Sequence, residues 1–243
     1  MRKRLVKYEN APALHMKLRE QFLTSIRDVK SNGFTAPGVI PSGKNKAMVQ
    51  YESIPERDMA YFLEFSAGVK RFVEQPVKID YIGPSGKPAH YTPDFLAYFS
   101  DNLGPDKIKP TLFEVKTREI LKKNWNELKP KFMAAIRYCD TKGWRFKIIT
   151  EVELNTPYVE NAKFLVPYMR KAPSIGLIEN VMDALHELED HATPAHIIKI
   201  AANDFYRKAA LIPALWFLVA TRFIGCELDK PLTMDSNVWY IKS

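Results

Sequence analysis

Cysteine is scarce in this 243-residue chain, and no long apolar run occurs in it. The two cysteines, Cys139 and Cys226, are too few for a disulfide framework and lack the spacing of zinc ligands. No segment reaches the length of a membrane-spanning helix, and the basic first residues lack the apolar stretch of a signal peptide. These absences argue against a secreted disulfide scaffold, a zinc-finger protein and a membrane protein. We therefore expect a cytoplasmic protein.

Charge is unevenly distributed along the chain, whose formal net charge is +8 at pH 7. Residues 171–243 contain 7 Lys and Arg against 9 Asp and Glu, whereas residues 1–170 contain 29 against 19. A polyanion such as DNA would therefore find complementary charge mainly in the first 170 residues. Hydrophobic residues make up 46% of the chain, which is typical of folded rather than disordered proteins.

Composition and pattern divide the chain into three regions. We expect a basic N-terminal region over 1–48, an α/β domain over 49–170 and an α-rich domain over 171–243. In the first region the pattern predicts one helix near Leu14–Lys30, followed by extended or loop structure.

The 49–170 region alternates between strand and helix signals. Ser53, followed by Pro55 and Glu56, predicts the start of a helix that runs to Phe65. The Gly- and Pro-rich run at 83–88 predicts a hairpin turn. Further predictions are strands at Val77–Ile82, Asp94–Phe99, Thr111–Lys116 and Phe146–Thr150, and helices at Glu119–Thr141, broken at Pro130, and Pro157–Arg170. A strand, a crossover helix and another strand indicate a mixed sheet with helices packed on it.

The last region has a different pattern. Apolar spacing predicts helices over Ile175–Leu188, from Thr193 to Ala201 and over Asp204–Phe223. The segments Cys226–Leu228 and Val238–Ile241 are predicted to pair as a ribbon. Three helices followed by a small hairpin are typical of a winged-helix-like, α-rich domain.

The sharpest chemical signal is YTPDF at 91–95 followed by FEVK at 113–116. Because strand side chains alternate between faces, Glu114 and Lys116 should point the same way, and Asp94 can converge on them from a neighbouring strand. Two close carboxylates repel each other unless a cation lies between them, and Mg²⁺ prefers such oxygen ligands. Lys116 could then orient or help deprotonate an attacking water, or offset charge on a phosphate.

A purely structural interpretation competes with this one. A Glu-x-Lys pair on its own is more often a solvated charge pair on an exposed strand. Pro-Asp, then 19 residues, then Glu-x-Lys between two apolar strands is more specific, and it favours a catalytic site.

Glu56 is a second candidate with two possible roles. As the third residue after Ser53, its carboxylate can reach back to the Ser53 backbone N–H in a capping box. It also shares a helical face with Met59 and Leu63, where an acid is costly unless it is paired or metal-bound. Other acids nearby, Glu52 and Glu64, are expected at the surface.

Four stretches together resemble a known family. They are YESIPERDMAYFLEF at 51–65, EQP at 74–76, YTPDF at 91–95 and FEVK at 113–116. In order and spacing they resemble the TnsA endonucleases, which are the restriction-enzyme-like subunits of Tn-seven-like heteromeric transposases. Other restriction-fold nucleases share only the Pro-Asp and Glu-x-Lys part.

The resemblance implies a restriction-endonuclease-like mixed sheet flanked by helices in a catalytic domain over 49–170, and an interaction domain over 171–243. It implies a Mg²⁺-dependent nuclease, in which Mn²⁺ can substitute, that cuts the 5′ ends of a transposon. It implies metal ligation by Glu56, Asp94 and Glu114, and a catalytic role for Lys116. The family's prototype carries Gln where Glu114 stands, so the part that Glu114 plays at the metal stays open. Glu151 is a possible further acid, although a surface carboxylate at the end of a strand is the favoured interpretation.

The resemblance also implies partners. A TnsB-like transposase would cut and join the 3′ ends, and the C-terminal region would contact an ATP-dependent, TnsC-like regulator. Two other hypotheses remain: a stand-alone restriction or resolvase-type nuclease of the same fold, and a non-catalytic adaptor that bridges transposition proteins. An adaptor would have no reason to keep buried acids around a lysine.

Overall fold

The computed structural model describes residues 37–100 and 108–241. The helix expected near Leu14–Lys30 lies outside these residues. The strands of the described part are β1 (Gly38–Ser42), β2 (Ala47–Tyr51), β3 (Val69–Glu74), β4 (Ile79–Ile82), β5 (Pro88–Tyr91), β6 (Phe95–Phe99), β7 (Thr111–Val115), β8 (Arg145–Ile149), β9 (His191–Ala192), β10 (Ile224–Cys226) and β11 (Val238–Tyr240). Its α-helices are α1 (Ile54–Phe65), α2 (Arg118–Lys142), α3 (Glu151–Leu154), α4 (Pro157–Leu165), α5 (Ile175–Glu187), α6 (Pro194–Ala201) and α7 (Phe205–Ala220), and a 3₁₀ helix spans Val166–Arg170.

The central sheet is mixed, as predicted. Its strand order is β3-β6-β7-β8, with antiparallel pairing of β3 to β6 and of β6 to β7. β7 and β8 are parallel and are joined by α2, which is the predicted crossover. The predicted strands before and after this helix are confirmed, whereas β3 was not predicted. The strand expected at Val77–Ile82 begins at Ile79, and Gln75 and Pro76 lie between it and the end of β3.

Helices cover the two faces of this sheet. On one face, Met59 and Leu63 of α1 pack in a core with Phe95 and Phe113 of the sheet. On the other face, α2 packs in a separate core with Leu96 and Leu112. Alternate residues of β6 and β7 therefore enter opposite cores, as the period of two along a strand requires. Burying each of the two α1 side chains contributes about 2 kcal/mol of hydrophobic stabilisation.

The predicted start of α1 is confirmed, but the predicted break in α2 is misplaced. Ser53 caps α1, and a proline lies in its first turn. In α2 the backbone leaves helical geometry at Asn124 (φ −113°, ψ 20°), whereas Pro130 lies inside the helix. Proline removes the hydrogen bond to the carbonyl four residues earlier, at Asn126, and the helix tolerates this loss while its backbone departs from helical geometry at Asn124.

Two antiparallel hairpins flank the sheet. The hairpin of β4 and β5 encloses the predicted turn at 83–88. The hairpin of β1 and β2 agrees with the extended alternative expected there, and its turn is held by Glu64 of α1. Glu64 accepts hydrogen bonds from the Ser42 hydroxyl at 2.6 Å and from the Gly43 N–H at 2.9 Å. Glu64 is therefore buried, and its expected place at the surface is wrong.

The last part of the described chain contains α5, α6 and α7 and a three-stranded sheet of order β10-β11-β9. The predicted ribbon is confirmed in its pairing, but its first strand begins at Ile224, and β9 adds a third strand. The helix predicted over Pro157–Arg170 divides after Leu165, where a 3₁₀ turn follows. Pro167 lies in that turn and has no N–H to continue an α-helical ladder.

One hydrophobic core joins this last part to the helices before it. Leu165 and Val166 pack in the same buried cluster as Leu185 and Leu215, and Phe65 at the end of α1 joins them. The packing therefore crosses residue 170. No helix in the described ranges is both long and apolar enough to span a membrane.

Candidate active site

The ends of β6 and β7 bring Asp94, Glu114 and Lys116 together. Asp94 directly precedes β6, and its backbone N–H donates to the Phe113 carbonyl of β7 at 3.1 Å. One Asp94 carboxylate oxygen, Oδ2, accepts a hydrogen bond from the Val115 N–H at 2.6 Å. The Lys116 Nζ lies 3.1 Å from Glu114 Oε1 and 3.8 Å from Asp94 Oδ2. The side chains of Glu114 and Lys116 therefore meet, although Lys116 lies one residue beyond the end of β7.

Burial and mutual repulsion govern the acid–base behaviour of this cluster. Burial raises the pKa of Asp94 well above its ordinary value, and the nearby Glu114 carboxylate raises it further, against the opposing effect of Lys116. Burial by itself would lower the pKa of Lys116, but Asp94 and Glu114 outweigh it, so this pKa lies above its ordinary value. The cluster therefore favours the charged form of Lys116, whereas burial and Glu114 disfavour the charged form of Asp94.

Glu56 approaches the cluster from the N-terminus of α1. Its Oε1 accepts a hydrogen bond from the Ser53 hydroxyl at 2.8 Å, and its Oε2 accepts one from the Glu52 N–H at 2.8 Å. The capping role is present, but its backbone donor is Glu52 rather than the expected Ser53. Burial raises the pKa of Glu56, while Lys116 lowers it, so Glu56 feels the charge of the cluster. Both roles considered for Glu56 therefore remain compatible with its position.

Glu114 is only 1% exposed, and two further side chains contact its carboxylate. The Tyr91 hydroxyl donates to Glu114 Oε2 at 2.6 Å. The Lys131 Nζ, from α2, donates to Glu114 Oε1 at 3.1 Å. Tyr91 belongs to the same sequence motif as Asp94, whereas Lys131 lies outside every motif of the sequence analysis. Lys131 lies in a polar helix segment with several other lysines, and nothing in the local sequence distinguishes it from them.

Gln75 connects Asp94 to Glu52 through two hydrogen bonds. Its backbone N–H donates to the Asp94 carbonyl at 2.8 Å, and its Nε2 donates to Glu52 Oε1 at 3.0 Å. Its backbone has a φ of 44°, which is uncommon for a residue with a side chain. Among the described residues, its buried Oε1 has no hydrogen-bond partner. A strained backbone and an unsatisfied amide oxygen beside carboxylates are typical of functional sites.

Glu151 lies away from these contacts. Its Oε2 accepts a hydrogen bond from the Arg118 N–H at 2.9 Å, at the start of α2. A carboxylate at this position stabilises the positive end of the helix dipole. The structure therefore gives Glu151 a helix-capping contact.

The donor chemistry of the site suits a hard divalent cation, although its side chains are not arranged as a closed set of ligands. Over 37–100 and 108–241, no group of three His, Cys, Asp or Glu side chains has the geometry of a metal site. The Glu114 carboxylate instead pairs with Lys116 and Lys131. Carboxylate oxygens each keep a second lone pair, so these hydrogen bonds do not by themselves prevent ligation. The raised pKa of Asp94 is the electrostatic signature that a bound cation would relieve.

A comparison with protein families identifies the same segment. Residues 66–151 match the family model described as TnsA-like endonuclease N terminal. The resemblance to TnsA is confirmed. The matched segment holds Asp94, Glu114, Lys116 and Glu151, whereas Glu56 precedes it. The match indicates a nuclease of the type found in Tn-seven-like transposases. No curated protein matches the chain.

Proposed function

We propose that this chain is a Mg²⁺-dependent DNA endonuclease that cuts the 5′ ends of a Tn-seven-like transposon within a heteromeric transposase. The observation that carries the proposal is the meeting of Asp94, Glu114 and Lys116 at the ends of β6 and β7, inside the segment that matches the TnsA-like endonucleases. Phosphodiester hydrolysis needs a positioned cation and a compensating positive charge, and this cluster offers groups for both.

The metal would be held by Glu56, Asp94 and Glu114. Their oxygens are ligands that Mg²⁺ prefers, and Mn²⁺ accepts the same set. When bound, such an ion polarises the phosphate and lowers the pKa of a bound water. The chain's own contribution is to hold the Asp94 carboxylate through the Val115 N–H and to exclude water around Glu114.

Lys116 acts as a cation in this proposal. Its Nζ lies 3.1 Å from Glu114 Oε1 and 3.8 Å from Asp94 Oδ2, and these carboxylates favour the charged ammonium. Its Nζ donates to the Val115 carbonyl at 3.0 Å, which fixes the ammonium at the end of β7. From there it would offset the negative charge that develops on the phosphate.

The surface beside Lys116 supports a DNA substrate. Helix α2 begins two residues later, and its first half exposes several basic side chains to solvent. These are Arg118, Lys122, Lys123 and Lys129. Contacts of this kind with phosphates are independent of sequence and weaken as the salt concentration rises. DNA affinity of the full chain should therefore fall steeply with salt.

Residues 171–243 would contribute a winged-helix-like unit, completed by the α4 side chains in its core, that binds a TnsC-like regulator. The order of α5, β9, α6, α7, β10 and β11 supports this assignment. At the start of α7, Phe205 is 78% exposed and Tyr206 is 84% exposed. Exposed aromatic side chains on a region with a net charge of −2 favour a protein partner over a phosphate backbone.

The regulator contact can be tested with the full chain. The double variant F205A/Y206A should lose affinity for the purified regulator, measured by surface plasmon resonance. Ile175→Ala is the matched control, because Ile175 is also exposed but lies on α5. If F205A/Y206A binds the regulator normally but loses salt-sensitive duplex binding, the surface contacts DNA and the regulator assignment is wrong.

The decisive test of the nuclease is cleavage of a transposon-end duplex with Mg²⁺, with and without the matching TnsB-like transposase. We expect nicks at the 5′ ends in the complete mixture, and we expect Mn²⁺ to replace Mg²⁺. Cleavage of unrelated duplexes without the transposase would favour a stand-alone nuclease. An adaptor would produce no nicks and would show no Mg²⁺ binding by calorimetry.

A further inference from the structure

Lys131 makes a specific, enclosed contact with an acid of the candidate site. Its Nζ lies 3.1 Å from Glu114 Oε1, and its side chain is only 17% exposed. Glu114 lies on β7, and Lys131 lies 17 residues later on α2, which packs against the same face of the sheet. The crossover helix between β7 and β8 therefore places this lysine beside the site.

Aromatic rings shape the surroundings of the Lys131 ammonium. Its Nζ lies 4.6 Å from the centre of the Tyr91 ring and 5.3 Å from that of Phe132. Tyr91 also donates its hydroxyl to the other oxygen of Glu114 at 2.6 Å. One tyrosine thus contacts both members of the pair, and both oxygens of the carboxylate are satisfied. An ammonium held over aromatic faces exchanges part of its hydration for cation–π attraction.

The charges of the cluster explain why a second lysine stabilises it. Asp94 and Glu114 are both acidic, and Lys116 contacts both of them. One lysine therefore cannot compensate two buried carboxylates, and an unpaired buried carboxylate is strongly destabilising. Lys131 supplies the second positive charge, and it contacts Glu114 alone among the acids of the cluster.

We propose that Lys131 is a positioning residue: an internal counter-ion that holds the Glu114 carboxylate in place before a metal binds and then competes with the metal for it. The competition rests on the function proposed above, whereas the pairing itself does not. Two consequences follow. Removing the charge of Lys131 should destabilise the metal-free protein, and it should increase the stabilisation that a divalent cation provides.

The test is thermal unfolding of the full chain in EDTA and then with increasing Mn²⁺. We expect Lys131→Met to lower the melting temperature in EDTA by about 5 °C, as breaking a partly buried charge pair would. Lys131→Arg keeps the charge and should recover most of this loss. Lys129→Met is the matched control, since it removes an exposed lysine from the same helix, and it should leave the melting temperature unchanged.

A double-mutant cycle shows whether the loss is specific to Glu114. In the Glu114→Gln background, Lys131→Met should lower the melting temperature in EDTA much less than it does in the native chain, because the partner charge is already absent. An equal cost in both backgrounds would overturn the proposal. If Lys131→Met does not fold by itself, we expect the double variant Glu114→Gln/Lys131→Met to fold, because it contains no unpaired carboxylate at position 114. If neither variant folds, Lys131 has a packing role and the proposal is wrong.

The Mn²⁺ titration tests the competition. Saturating Mn²⁺ should raise the melting temperature of Lys131→Met more than that of the native chain. An equal or smaller rise in the variant would overturn the proposal. Absence of any Mn²⁺ effect in both proteins would contradict the proposed function, and the cycle in EDTA would still decide the pairing of Lys131 with Glu114.

Discussion

At the scale of single residues, the candidate site combines acids that burial disfavours with lysines that compensate them. Asp94 is held by a backbone N–H and repelled by Glu114, while Lys116 attracts both. Such a cluster is a poor arrangement for stability alone, because apolar side chains in the same volume would avoid the cost of burying charge. Retention of charge at this cost is expected where the charges have a chemical task.

Replacing Asp94 by Asn should separate stability from catalysis. Asn keeps an oxygen that can accept from the Val115 N–H, but it removes a carboxylate whose pKa burial and Glu114 have raised. We expect nicking to be lost, with a melting temperature in EDTA at or above that of the native chain. Asp80→Asn, at an exposed position, is the control and should nick normally. Nicking by Asp94→Asn at the native rate would exclude Asp94 from the site.

Lys116 should tolerate neither loss of its charge nor a change in its shape. Lys116→Met should abolish nicking while metal binding measured by calorimetry persists, because the acids remain. Lys116→Arg should recover only part of the activity, since a planar guanidinium cannot replace a compact ammonium between two carboxylates. Full activity of Lys116→Met would show that its positive charge is not needed.

Glu56→Gln tests the two roles of Glu56. Both of its oxygens accept hydrogen bonds, so Gln loses one acceptor and should cost about 1 kcal/mol of unfolding free energy. If Glu56 is a metal ligand, nicking should be lost as well. Ser53→Ala provides the comparison, because it weakens the same cap without removing the carboxylate, and it should retain activity. Normal nicking by Glu56→Gln would leave Glu56 with capping alone.

At the scale of elements, the position of α1 depends on contacts at both of its ends. Its N-terminus carries Glu56, and near its C-terminus Glu64 binds the turn between β1 and β2. Lys44 of that turn donates to the Leu63 carbonyl at 2.8 Å and also to the Ser66 carbonyl. A lysine bound to the last carbonyls of a helix satisfies acceptors that lack a partner in the helix. The hairpin therefore holds the helix that delivers Glu56.

Lys44 predicts a specific dependence of stability on pH. Burial lowers the pKa of Lys44 from 10.5 to about 8, in spite of the nearby Glu64. Between these two values the unfolded chain binds more protons than the folded chain, so the contribution of Lys44 to the unfolding free energy rises with pH across this window. Below about pH 8 the lysine is charged in both states and its contribution is at its least favourable.

The measurement is urea unfolding at several pH values across this window. The native chain should gain stability relative to Lys44→Met as the pH rises from about 8 to about 10. Lys46→Met, from the exposed side of the same turn, should follow the native chain. A difference between the native chain and Lys44→Met that does not change with pH would mean that the pKa of Lys44 is unperturbed.

At the scale of the whole molecule, the core around α5 to α7 recruits residues from before position 170. Ala162 and Leu165 of α4 and Val166 of the next turn are fully buried in it. Asn161 of α4 also donates to the Leu228 carbonyl and accepts from the Leu232 N–H, both at 3.0 Å. The proposed domain boundary at 170/171 therefore divides a packed unit.

A fragment of residues 171–243 should consequently fold poorly. It lacks Leu165 of α4 and Val166 of the next turn, each of which contributes about 2 kcal/mol of burial to a small core. A fragment of 157–243, which keeps α4 and the 3₁₀ turn, should unfold cooperatively by circular dichroism. Equal, cooperative unfolding of both fragments would restore 171 as the start of an independent domain.

The order of helices and strands from α1 to α7 could largely be predicted from the sequence, because caps, turns and apolar periodicity are local signals. Ser53 predicted the start of α1, and Thr193 predicted the start of α6. Hairpin β1–β2 was not predicted, since its turn is fixed by Glu64, which is 21 residues beyond Gly43. The mixed central sheet followed from the crossover between β7 and β8, which is also a local pattern.

For the candidate site, the sequence by itself determined that Asp94, Glu114 and Lys116 lie together. The period of a strand and the spacing of the motif decide which side chains can meet. Only the tertiary structure decided the rest. It buried Glu64 away from the site, and it placed Lys131 against Glu114. These outcomes depend on how α1 and α2 pack against the sheet, which no local pattern encodes. A lysine becomes a counter-ion only when the fold removes water from around it and leaves a carboxylate as its partner.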